Sequence, residues 1–137
     1  MIGGDTGGRK LSAMLRELRP ALQDGQWVFI TAEAAPTGVT PLATFAEQEG
    51  LSLLLRREQA DSLGLAYDFV GAWISLTVHS ALDAVGLTAA VAGQLARSGI
   101  SCNVIAARYH DHLLVPHEQA RRAVALIKQL AEPAGAP

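Results

Sequence analysis

The residues best equipped for chemistry crowd into the second half of the chain. His110 and His112 stand two apart, so on an extended strand both imidazoles share one face. That spacing is a common way to present two nitrogens to zinc or a similar metal. A third ligand must converge for a site to close, and Asp111 points the other way on a regular strand. The pair therefore stands as an alternative metal site only. Hydrogen bonding at a turn is the plainer use for it. His79, Ser80 and Asp83 lie on one short segment, but a catalytic triad is defined by geometry and not by closeness in sequence. Cys102 falls among Ile100, Val104 and Ala106 on the apolar side of its segment, which suits an inert core thiol. No enzyme, cofactor or resident metal is expected from these groups.

Elements must position these residues, and the hydrophobic pattern supplies them. Over 72–79, Ile74, Leu76 and Val78 alternate with Trp73, Ser75, Thr77 and His79, the period of a strand with one oily face. A loop runs to Gly86. Leu87, Val91 and Leu95 then recur at helical spacing, and Gly99 ends that helix. Residues 100–107 alternate again, 112–115 form a short partner strand, and Pro116 opens a helix striped by Ala120, Val124, Ile127 and Leu130. The order strand, helix, strand, strand, helix is ferredoxin-like, an α+β arrangement with helices on one sheet face and only the last strand lacking.

The first half repeats the plan. Leu11, Leu15 and Leu18 make a helix stripe, 27–30 and 51–55 read as strands, and a short helix follows from Glu58. Glu58-Gln59-Ala60 recurs as Glu118-Gln119-Ala120, and 118 minus 58 gives an offset of 60. Trp27 aligns near Ser101 on this reading, so the first half lacks an opening strand and carries an insertion near 34–50, a piece open to either strand or helix. The expected division is a flexible tail over 1–9, a first half over 10–70, a second module over 71–131 and a tail over 132–137.

Composition narrows the function classes. Of 137 residues, 50% are hydrophobic and 18% charged, with a net charge of -2. Disorder needs the opposite balance. A general nucleic-acid binder would show a basic excess. The start has no apolar signal segment, and Gly8-Arg9-Lys10 lacks the adjacent Gly-Lys of a phosphate loop. No run of about 18 apolar residues is present. One cysteine fits a reducing, cytoplasmic setting.

Three stretches, 72–79, 83–91 and 99–106, together with Tyr109-His110-Asp111-His112-Leu113-Leu114-Val115-Pro116, resemble the ACT-domain superfamily. More closely, the chain is similar to small stand-alone bacterial tandem-ACT proteins, and its second half to the regulatory ACT module of aspartate kinases. The resemblance implies ferredoxin-like βαββαβ modules in tandem that pair, and an amino-acid-like ligand at the module interface. By position it implies contacts from Asp83, Val85, Gly86 and Leu87 on the first loop, with Ser101 and Asn103 on the facing strand. The residue types agree. A glycine lets backbone approach a ligand, helix-start N–H groups favour a carboxylate, Asp83 suits an amine and Asn103 offers donor and acceptor. The expected function is regulatory binding of an amino acid or related metabolite, with no nucleic-acid or membrane partner. A ligand-free protein-interaction module is the alternative. The second module lacks its closing strand, so its sheet edge must be covered within the chain or by another copy, with a two-fold homodimer as the default.

Overall fold

The structure is a computed structural model, and it describes residues 5–78 and 85–132. One mixed-length antiparallel sheet carries every helix on the same face. In chain order the elements are α1 (Asp5–Glu17), β1 (Pro20–Leu22), β2 (Trp27–Ala32), β3 (Ala43–Glu47), β4 (Gly50–Arg56), α2 (Arg57–Ser62), β5 (Gly71–Leu76), α3 (Leu87–Arg97), β6 (Asn103–Ala106), β7 (Asp111–Pro116) and α4 (Ala120–Leu130). A 3₁₀ turn, His117–Gln119, leads into α4.

The strand order is β3-β4-β2-β5-β7-β6, with β1 also paired to β5. Two interlocked modules account for it. The first runs β2, β3, β4, α2, β5. The second runs β5, α3, β6, β7, α4 and is closed by β1, which arrives from the N-terminal side. Pro20–Leu22 pair with Leu76–Ile74, and the next strand touches β5 through Trp27 and Gly71. Of the two expected ways of covering that edge, the structure shows the one within the chain.

This topology corrects the alignment of the first half. Trp27–Ala32 is an opening strand, paired along its length to β4 as β5 is to β7. What the first module lacks is its first helix. Residues 33–42 replace that helix without a regular element, and the ambiguous piece after them is strand β3, at the sheet edge. The sequence alignment failed because it matched two apolar strands by position, whereas the pairing partner is what identifies a strand. The N-terminal helix begins at Asp5, inside the stretch expected to be a flexible tail.

Alternation sorts the side chains into layers. Ala72, Ile74 and Leu76 of β5 join Leu113 and Val115 of β7 against Leu18, Leu87, Val91, Leu95, Ala123 and Ile127. Val28, Ile30, Leu53 and Leu55 pack around Ala60 of α2 in the first module. On the helix-free face a third cluster joins Trp27, Leu54, Trp73 and Leu114, all buried. Gly71 is fixed by that cluster. A Cβ there would overlap the Leu114 side chain, with Cγ only 2.6 Å away.

Candidate functional site

The residues implied by the resemblance that the structure describes lie at the start of α3 and at the start of β6. Asp83 lies outside the described residues. Val85 is 78% exposed, whereas the Leu87 side chain is 3% exposed and packed in the helix-side core. The Leu87 side chain thus serves packing, and any ligand contact from this position would come from its backbone at the start of α3. Gly86 does need its glycine, because its φ is 101° in the left-handed region. Its close neighbour, however, is protein: a Cβ would stand 2.8 Å from Leu11 of α1. Ser101 is exposed. Asn103 starts β6 on the helix-free face, level with Leu114 and hence with Trp73, and its Nδ2 lies 3.5 Å from the Leu114 carbonyl. The chain leaves β5 only at Leu76, three residues beyond Trp73, so Asn103 sits about 10 Å short of that strand end.

A cleft lies instead at the junction of the modules. It measures about 420 Å³ and sits between the turn from β1 to β2 and the start of α4. Leu22, Gln23, Asp24 and Gly25 form one wall, and His117, Glu118 and Arg121 the other, with Ala72 and Ala120 at the base. The turn is held by Gln23, whose backbone N–H donates to the Trp73 carbonyl at 2.8 Å. The Arg57 N–H donates to the Gln26 carbonyl at 2.9 Å, and the His117 N–H to the Val70 carbonyl at 3.0 Å. Gln26 Nε2 lies 3.4 Å from His117 Nδ1. Small residues make the space, and both signs of charge rim it. Such a site suits a small zwitterion: Arg121 for a carboxylate, Asp24 and Glu118 for an amine.

Two family models described as ACT domain match the chain in tandem, over residues 6–72 and 69–129. The chain belongs to the ACT-domain family. A Vibrio cholerae protein of unknown function, described as a possible transport protein, is 43% identical, covers 92% of this chain and 99% of its own, and superposes with a TM-score of 0.83. An Agrobacterium tumefaciens protein is 20% identical over 83% of this chain and 89% of its own, with a TM-score of 0.68. The regulatory subunit of aspartate kinase from Thermus thermophilus, in ligand-free form, is 12% identical with a TM-score of 0.58, covering 82% of this chain and 97% of its own. The last two show the fold. Among curated proteins, none matches the chain.

The helix-free face of this ACT protein holds further polar groups besides Asn103. His112 stacks on Trp73, with ring centroids 5.1 Å apart and 13° between planes. Its Nδ1 shares a 2.8 Å hydrogen bond with the Ser75 hydroxyl, to which Gln23 Nε2 lies at 3.4 Å. Burial, joined by the neighbouring His110, holds the His112 imidazole below its ordinary pKa, against a smaller pull upward from Asp111. Half-burial pushes the Cys102 thiol up, away from the reactive thiolate. Among the described residues, no group of three or more His, Cys, Asp or Glu side chains is placed to hold a metal. Also among them, no helix is long and apolar enough to cross a membrane. The sequence reading missed the cleft, although the Glu-Gln-Ala echo marked its helical wall.

Proposed function

We propose that this ACT protein is a non-enzymatic regulatory module that binds an amino-acid-like metabolite in the cleft between its two modules. The cleft of about 420 Å³, rimmed by Asp24, Glu118 and Arg121, carries this reading. It has room for a small metabolite and complementary charge for both ends of an amino acid. The test is thermal melting in the presence of each of the twenty amino acids at millimolar concentration. A ligand of the folded state raises the melting temperature with its concentration, by mass action. Saturable elevation by one or a few is expected, reduced in Arg121→Gln. No shift with any of the twenty would sink the amino-acid reading. Asn103→Ala locates the seat: the shift persists for binding in the cleft and is lost for binding at the strand start that the ACT resemblance implies.

The working form is a homodimer. Phe29 and Phe45, exposed on the helix-free face with ring centroids 6.4 Å apart, support it. Sedimentation at high concentration tests it, and a strict monomer would end it. The lone Cys102 and near-neutral charge support a cytoplasmic setting without nucleic acid.

A further inference from the structure

The two modules can be matched by their strand registers. Val28 faces Leu55 as Ala72 faces Val115, so 28 corresponds to 72 and 55 to 115. The matched bonds from Arg57 to Gln26 and from His117 to Val70 carry the match into the helix starts, with Arg57 at the place of His117. On the closing side, Trp27 faces Gly71 in the first module and Ile74 faces Leu22 in the second. Asp68, Phe69 and Val70 therefore correspond to Leu22, Gln23 and Asp24.

Leu22, Gln23, Asp24 and His117 all line the junction cleft already described. Their four counterparts line a second cleft, of about 380 Å³, at the equivalent place of the first module. The two clefts are neighbours, because His117 and Glu118 line both. The 3₁₀ turn that leads into α4 is their common wall.

Each cleft carries the same charge complement from different positions. The junction cleft has Arg121 as its cation, Asp24 as its own acid and Leu22 as an apolar neighbour. The first-module cleft has Arg57, Asp68 and Val70. Acid and apolar side chain have exchanged places: Asp68 stands where the other cleft has Leu22, and Val70 where it has Asp24. Phe69, 37% exposed, and Pro116 add apolar surface. Arg57 is held in position on two sides. Its Nε donates to the Tyr67 hydroxyl at 2.8 Å and its Nη1 to Gln26 Oε1 at 3.1 Å. The Tyr67 hydroxyl donates in turn to Asp61 Oδ1 at 2.8 Å. Among the described residues these bonds use two of the five N–H groups of a guanidinium, and the others can meet a carboxylate.

We infer that the first-module cleft is a second seat for an amino-acid-like zwitterion, its carboxylate at Arg57 and its amine at Asp68 and Glu118. This rests on the proposed function for the class of ligand, and it adds a second molecule per chain. Glu118 serves both seats, since an amine in either cleft meets its carboxylate.

The experiment is an amide NMR titration of the full chain with each of the twenty amino acids at millimolar concentration. The Arg57 and Phe69 amides report the first-module cleft, and those of Gln23 and Arg121 report the junction cleft, because each residue lines only one of the two. Saturable shifts are expected in both groups. The N-acetyl and the carboxamide derivatives of a responding amino acid should bind the first-module cleft at least about tenfold more weakly, each lacking one charged end. Arg57→Gln should abolish the Phe69 response and keep the Gln23 and Arg121 responses, which also show that the variant is folded. Asp68→Asn, at an exposed position, should weaken the Phe69 response alone. Glu118→Gln should weaken both. Shifts confined to Gln23 and Arg121 would overturn the inference while leaving the regulatory reading intact. Unchanged first-module affinity in Arg57→Gln and Asp68→Asn would also overturn it, as would equal binding of the derivatives. No shift in either group would end both readings together.

Discussion

Single residues set the two faces of this sheet. Gly71 lies where β2 and β5 meet, and Leu114 fills the space its missing side chain leaves. Gly71→Ala forces an extra methyl group into a closed cluster and should cost about 1–3 kcal/mol, read as a lower urea midpoint at unchanged slope. An unchanged midpoint would show that Leu114 swings aside freely. His112 behaves in the opposite sense to a paired histidine. Its folded-state pKa lies below the ordinary 6.5, with desolvation as the largest cause. The unfolded chain therefore takes up the proton first. The stability held by neutral His112 is full above about pH 6.5 and is lost as pH falls below that value. Urea melts at pH 7.5 and 5.5 should show this drop, and His112→Gln should shrink it. An equal drop in the variant would assign the effect elsewhere. The sequence placed His112 on one face with His110, but it contains no sign that Trp73 and Ser75 would claim the ring. That contact comes from pairing β5 with β7, 37 residues apart.

At the scale of elements, periodicity was a good guide wherever an element is long enough to repeat its pattern. Strands β5 and β7 and helices α3 and α4 stand close to where apolar spacing put them. The hidden elements are those with too few residues to alternate. Pro20–Leu22 is a strand of three, with a proline at its first position, where a missing N–H is tolerated. Strand β3 exposes most of its residues at the sheet edge, so no burial pattern separates it from a loop. The cleft stayed hidden for the same reason. One wall is the turn after β1, and only closure of the second module brings it to α4. Helix α1 was legible by its leucine stripe, and Leu18, one residue past its end, ties it to the core. Leu18 is completely buried among the second-module side chains. Leu18→Ala should cost about 2–5 kcal/mol, measured by chemical denaturation. A loss under about 1 kcal/mol would mean that α1 is dispensable to that core.

For the whole molecule, neither module is complete without the other. β5 serves the first as its last strand and the second as its first, while β1 and β2 run almost continuously and serve one module each. Residues 69–132 expressed alone would expose the β5 edge and lose Leu18 from the core. A domain of about 60 residues has little stability to spare. The fragment is expected to lack a cooperative thermal transition by near-UV circular dichroism. A sharp transition in a monomeric fragment would show that β1 is only an accessory. The two modules thus form one continuous sheet.

The return of β1 also orders events during synthesis. The segment 20–22 leaves the ribosome before its strand partner β5 and before the helix α4 that packs on it. Those residues must wait, unpaired, until β5 and α4 have emerged. Long-range pairing of this kind folds slowly and leaves apolar surface open meanwhile. Nascent chains stalled before α4 should therefore be sensitive to protease across β1. A product truncated before α4 would therefore lack the wall of the cleft that Ala120 and Arg121 supply.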